Sequence, residues 1–240
     1  MKILLLAGNT LRARSYSQYL ASFFNNSDVI IEGLFFGFNE RKCSNPIIDV
    51  ETESFFQQEN LFIPDLSQSI KNTFDNHNWN YSEIETYDVN SKEILDKINE
   101  FNSDIIVFAG YGGQILKQQH FDTGKKYLHM HPGKLPIERG STTVYYSILN
   151  NRNCSVTAFY MSAKIDDGVN LLIKEYKVPF NGVNIDLWYD NIIRADCFVN
   201  AIKTLLNNNV DTNTESERPE EYYVIHPILK HVALMSLKKI

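Results

Sequence analysis

The chain has 240 residues, 43% apolar and 22% charged, a composition that excludes a fibrous or largely disordered polypeptide and is long enough to bury a core without staples. Its 23 basic and 29 acidic residues leave a net charge of −6, which argues against a broad nucleic-acid-binding face because counterion release needs clustered Lys and Arg. Cys43, Cys154 and Cys197 are scattered, form no zinc-finger spacing and read as free thiols, so the expected location is the cytoplasm. The opening run from Met1 to Gly8 is shorter than a secretory h-region and is followed at once by Asn9, Thr10, Arg12 and Arg14. No stretch reaches the ~18 apolar residues of a membrane helix. Neither nucleic acid nor membrane is expected as a partner.

Ile3 to Ala7 is a continuous apolar run closed by Gly8, the pattern of a buried parallel strand. Tyr16, Tyr19, Leu20 and Phe23 then fall on one helical face within Ser15–Phe24, and Val29–Phe36 is a second strand, giving a βαβ opening. From Phe38 to Asn80 the periodicity weakens, with one helix expected around Leu66, Ile70 and Phe74. A strand is predicted at Ile84–Val89. After it, Asn90 and Glu93 form a capping pair for a helix bearing Ile94, Leu95, Ile98 and Phe101. Asp104–Gly110 is a third apolar strand. Further strands are expected at Tyr127–His131, Val156–Met161 and Asn170–Val178, and a long helix from Asp186 to Leu206. Asn207–Glu221 reads as a polar linker, and Tyr222–Ile225 with Ile228–Leu237 as a small β unit broken at Pro227. The fold class is therefore α/β, a doubly wound, Rossmann-like, mostly parallel sheet with a C-terminal helix and a small β extension. Ligands are expected beyond the carboxyl ends of its strands.

Three clusters could carry chemistry. Gly110-Tyr111-Gly112-Gly113 follows a strand but is no GxGxxG fingerprint, so it is either a ligand-approaching turn or an ordinary one. In His129-Met130-His131-Pro132-Gly133 the imidazoles stand two apart and share a strand face. They could be a half-exposed pair beside a turn, two metal ligands lacking an obvious third, or a catalytic pair. Ile165-Asp166-Asp167-Gly168 is by itself most simply a turn. Its loop and that of His131 can nonetheless open onto one sheet edge.

The ordered set His131-Pro132, Leu135-Pro136, Arg139-Gly140 and Asp166-Asp167-Gly168, with 166 − 131 = 35, resembles the catalytic domain of the 10-formyltetrahydrofolate-dependent formyltransferases. The likeness runs from Asp104 to about Val178. That family includes glycinamide ribonucleotide and methionyl-tRNA formyltransferases, formyltetrahydrofolate hydrolase and sugar N-formyltransferases. Its signature begins Asn-x-His-Pro, and here His129 stands in the asparagine's place.

The resemblance implies a catalytic domain over 1–180 and a C-terminal helix and β tail over 181–240 that pairs two subunits. It implies formyl transfer from 10-formyltetrahydrofolate, as co-substrate and without a metal. His131 would be the general base, Asp166 its carboxylate partner and His129 the donor to the formyl oxygen. Tyr111, Gln114, Ile115, Leu116 and Asp167 would line the folate. The tail Glu221–His231 is similar to that of bacterial sugar N-formyltransferases, so the implied acceptor is a nucleotide-linked amino sugar such as dTDP-4-amino-4,6-dideoxyglucose, formylated for surface polysaccharide. Arg139, Tyr145, Trp188, Tyr222 and Tyr223 are its candidate contacts. The lack of a further C-terminal domain and the net acidity weigh against tRNA. A formyltetrahydrofolate hydrolase, a glycinamide ribonucleotide formyltransferase-like enzyme and an inactive nucleotide-binding relative stand beside this reading.

Overall fold

Strands with fully buried apolar runs set the architecture. In the computed structural model, which describes residues 1–24, 28–38, 45–207 and 221–238, β1 is Lys2–Gly8, β2 Ile30–Phe36, β3 Asn80–Ile84, β4 Ile105–Ala109, β5 Tyr127–His131, β6 Cys154–Met161 and β7 Gly168–Tyr176. They form one seven-stranded sheet in the order β3-β2-β1-β4-β5-β6-β7. β1 pairs in parallel with β2 and with β4, so that Leu4 lies between Glu32 and Ile106, and β2–β3 and β4–β5 are parallel as well. β6 and β7 are joined by residues 162–167 alone. That is too short for a parallel crossover, so β7 turns back antiparallel on its neighbour.

The chain divides into two compact units, each assembled from three stretches of sequence. The first takes Met1–Ile47, Pro64–His129 and Tyr160–Ala163, and the second Ile48–Ile63, Met130–Phe159 and Lys164–Ile240. In the first, α1 (Leu11–Phe23) starts at Thr10, whose side chain accepts from the Ala13 amide. α3 (Ile70–Asn76) and α4 (Lys92–Glu100) start in the same way at Ser69 and Ser91. Alternate residues Leu4, Leu6, Leu34, Phe36, Ile106 and Phe108 present one sheet face to Ile94 and Ile98 of α4, all within 7% of full burial. Each such side chain contributes about 1.5–3 kcal/mol by leaving water. The short α5 (Gln118–Phe121) carries His120 into this interior.

The second unit holds α2 (Val50–Gln58), α6 (Thr143–Asn151), α7 (Asp190–Leu206) with the wide helical turn Ile185–Tyr189 before it, and α8 (Pro227–Ser236). Cys154 and Cys197 are free thiols buried here, and burial pushes both well above the ordinary range, so neither is a reactive nucleophile.

The doubly wound, mostly parallel sheet expected from the sequence is present, and several details differ. β3 lies at 80–84 rather than 84–89, and Ser91 rather than Asn90 caps α4. α2 and α6 were not foreseen. The tail is the largest correction: its β character is limited to one bridge, Gly140 to Tyr222, and the rest is α8. Pro227 does not break a strand there but occupies the first turn of the helix, where its missing N–H costs nothing, and His226 caps that turn. Cys43 and nearly all of the expected linker, residues 208–220, lie outside the described residues. No helix among the described residues is long and apolar enough to cross a membrane.

Candidate active site

β5 ends at His131, and Pro132 forces the chain out of the sheet. The loop that follows is pinned from below by β6. Thr157 donates from Oγ1 to the Gly133 carbonyl at 2.7 Å and accepts the Leu135 amide at 3.0 Å. The loop then curls back over the imidazole. Gly133 is required here, since a Cβ would stand 2.8 Å from the Glu138 carbonyl oxygen and 2.9 Å from His131 Nε2.

His131 is 3% exposed. Its Nε2 lies 2.5 Å from the Glu138 carbonyl oxygen, with Thr143 Oγ1 at 3.5 Å, and its Nδ1 lies 3.3 Å from Asp166 Oδ1. Thr143 spends its own hydrogen on the Pro132 carbonyl at 2.5 Å. A carbonyl only accepts, so Nε2–H donates to Glu138, and Nδ1 is the ring nitrogen that faces Asp166. Asp166 reaches the ring because it adopts a left-handed conformation, φ +47°, which aspartate tolerates in a turn. Its second oxygen accepts the Gly140 amide at 2.7 Å.

Glu138, absent from the sequence-derived site, is the other buried carboxylate here, 3% exposed. It accepts from the Lys134 amide at 2.8 Å, Ser147 Oγ at 2.8 Å and Asn151 Nδ2 at 3.2 Å, tying the loop to α6. Only its position inside the Pro-x-x-Arg-Gly stretch could have drawn attention to it.

In the first unit, the turn after β4 is built around Tyr111. Its hydroxyl accepts the Asn9 amide and donates to the Gly37 carbonyl, both at 2.9 Å. Its amide donates to Gln114 Oε1 at 2.9 Å, and Gln114 Nε2 donates to the Tyr87 carbonyl at 2.8 Å. Leu116 belongs to the apolar core, whereas Ile115 is half exposed. His129, half-buried on β5, places Nδ1 3.2 Å from the Phe108 carbonyl. Nδ1 therefore carries hydrogen, and Nε2 becomes a donor only in the doubly protonated ring.

The sequence-derived residues thus separate into groups. His131, Asp166 and, through Gly140, the Arg139 segment come together in the second unit, with Asp167 half-buried beside them in the turn. Arg139 is already engaged, its Nη2 donating to the Ile165 carbonyl at 2.8 Å and to Glu221 Oε1 at 2.9 Å. Trp188 is buried in the core. So is Tyr145, whose hydroxyl donates to Asp186 at 2.7 Å and is pushed up by burial and by that carboxylate. Neither aromatic offers a face to a ligand. Tyr222 stacks on Tyr146, ring centroids 4.4 Å apart, and Tyr223 is 87% exposed. Among the described residues no group of three or more His, Cys, Asp or Glu is placed to hold a metal ion.

No protein-family model matches the chain. The methionyl-tRNA formyltransferase of Finegoldia magna is 29% identical over 107 residues, 44% of this chain and 34% of that protein. The chain thus matches about a third of that relative's length. A sugar N-formyltransferase from Shewanella superposes with a TM-score of 0.60 at 17% identity, covering 98% of this chain and 87% of that one. The phosphoribosylglycinamide formyltransferase of Anaplasma phagocytophilum gives 0.61 at 12% identity over 93% and 98%. These likenesses establish the fold as the one that formyltransferases use.

Proposed function

We propose that this chain is an N-formyltransferase that moves a formyl group from 10-formyltetrahydrofolate to the amine of a nucleotide-linked amino-dideoxy sugar. In its most specific form the acceptor is dTDP-4-amino-4,6-dideoxyglucose, modified in the cytoplasm for surface polysaccharide. The observation that carries the reading is the buried His131–Asp166 pair, 3.3 Å apart at the two positions the ordered motif singles out. The formyltransferase relatives and structural neighbours support it.

In the proposed reaction the sugar amine attacks the formyl carbon, a new C–N bond forms, the bond to the folate nitrogen breaks, and that nitrogen takes up a proton. The amine gives up a proton as it attacks. Nε2 of His131 is held by Glu138, so the proton is received on the Nδ1–Asp166 side and the pair acts as one base. His129, in its imidazolium form, donates to the formyl oxygen as charge develops there. Tyr111, Gln114, Ile115, Leu116 and Asp167 remain the proposed folate contacts, Tyr111 and Leu116 through backbone groups because their side chains are buried. Arg139 and Tyr223 remain proposed for the nucleotide, Tyr223 because its ring is free to stack. Tyr145 and Trp188 serve the core instead.

The tail is proposed to pair two copies of the chain, now through a helix. Ile228, Val232 and Met235 of α8, at 67, 47 and 53% exposure, follow the four-then-three spacing of a helix-pairing seam, with Leu229 beside it. The deciding assay incubates the protein with 10-formyltetrahydrofolate alone, with the dTDP-4-amino sugar and with glycinamide ribonucleotide. Formylated sugar is the expected product. Formate released without an amine would make the protein a hydrolase, formylated glycinamide ribonucleotide would reassign the acceptor, and no turnover would reduce it to a binding protein.

A further inference from the structure

Beyond α7, residues Glu221–Ile225 lie as a strap along the loop that carries Gly140. The Tyr222 amide donates to the Arg139 carbonyl at 2.8 Å, and the Tyr222 carbonyl accepts the Ser141 amide at 2.9 Å. The Ile225 amide donates to Thr142 Oγ1 at 2.8 Å, and Glu221 meets the Arg139 guanidinium at 2.9 Å. The Tyr222 ring stacks on Tyr146 of α6, its hydroxyl accepts from Asn150 Nδ2 at 3.2 Å, and Tyr146 donates to the Tyr223 carbonyl at 3.2 Å. The approach is so close that a Cβ on Gly140, itself at φ +102°, would lie 2.1 Å from the Tyr222 carbonyl oxygen. Gly140 is also the residue whose amide holds Asp166 Oδ2 at 2.7 Å. One peptide unit therefore faces the strap on one side and the acid of the candidate base on the other.

We infer that Tyr222 is a positioning residue for Asp166. The strap fixes the Arg139–Ser141 main chain, Gly140 fixes the carboxylate, and the carboxylate fixes where His131 Nδ1 finds its proton. The role rests on the formyl-transfer reading of the site, but the placement it describes does not require turnover to be measured. Tyr222 was a candidate nucleotide contact on sequence grounds. Its amide and carbonyl are spent on the loop and its ring on Tyr146, which is the wiring of a support and leaves the ligand role to Tyr223. The energetic argument is one of pre-organisation: a carboxylate on a positive-φ turn has several places to go, and the Gly140 amide selects one.

The test uses three full-length variants. Tyr222→Phe keeps the stack and loses only the Asn150 bond. Tyr222→Ala removes the stack. Tyr222→Pro removes the amide that holds the Arg139 carbonyl. Two measurements are made: the kinetics of formyl transfer, giving kcat and KM, and the ring-nitrogen signals of His131 by ¹⁵N NMR at one fixed pH. Tyr222→Phe should match the wild type in both. Tyr222→Ala and Tyr222→Pro should lower kcat, by up to about 100-fold for a displacement near 1 Å, with KM for the folate unchanged and the His131 signals moved. His131 signals that superimpose on the wild type in Tyr222→Ala overturn the inference, whatever its melting temperature does. If Tyr222→Pro does not fold, the contrast between Ala and Phe decides alone. If the wild type transfers no formyl group, the functional reading fails, and the His131 signals still decide whether the strap sets the pair.

Discussion

His131 is a ring with an acceptor on each nitrogen, which narrows what its replacement can do. His131→Asn removes the proton-accepting pair and should lower kcat for formyl transfer by about 10²–10⁴, read in the assay with the amino sugar. The side chain is buried, so unpairing its neighbours should also cost about 1–3 kcal/mol, measured by urea denaturation. Full activity in this variant would take His131 out of the base role. A second histidine gives a pH prediction. His120 is fully buried, with Nε2 3.1 Å from the Val89 carbonyl and Nδ1 3.1 Å from the Tyr127 hydroxyl. Burial pushes that hydroxyl up to about 12, so it stays a donor and the imidazole is neutral, and burial also lowers the His120 pKa from 6.5. The unfolded chain therefore binds this proton more readily than the folded one. The contribution is intact above pH 6.5 and lost as pH falls below it. Thermal melts between pH 7.5 and 5 should show the decline, and His120→Gln should flatten that part of the curve. The pairing of His131 with Asp166 was legible in the sequence because the motif is ordered along the chain. Glu138 and the Gly140 amide were not, because one acts through a carbonyl and the other has no side chain.

Elements with a single dominant signal could be read from the sequence. β1, β4 and β5 are short apolar runs closed by Gly or Pro, and their limits agree with the reading to within a residue or two. α6 was missed because its N-cap position, Thr142, sits at φ +53° and makes no side-chain cap, while Val144, Tyr145 and Tyr146 suggest a strand by composition. α2 was missed because its buried Phe55 and Phe56 are adjacent rather than spaced around a helix. In the tail, aromatic and β-branched residues concealed a helix whose proline is a start signal. α8 packs on α6, and Lys230 donates to Asp186, while the Ile228–Val232–Met235 stripe remains open. Val232→Glu should therefore shift a dimer towards monomer in sedimentation velocity with little change in melting temperature, because the position is already half exposed. An unaltered profile would remove α8 as the pairing surface.

At the scale of the whole chain, the doubly wound order was legible and the division into units was not, since contacts between distant stretches leave no mark on local periodicity. Each unit needs residues from both sides of stretches belonging to the other. Loss of one should withdraw connecting segments from the other, so calorimetry should give a single transition with matching van't Hoff and calorimetric enthalpies. Two separated endotherms would contradict this.

The same threading has a bearing on biosynthesis. The first unit lacks its last piece until Ala163 has left the ribosome, although most of its sheet is translated by His129. Ile48–Ile63 must wait, exposed, for partners encoded downstream of Met130. A newborn chain halted midway would therefore display Phe55 and Phe56 to solvent, a natural handle for chaperones.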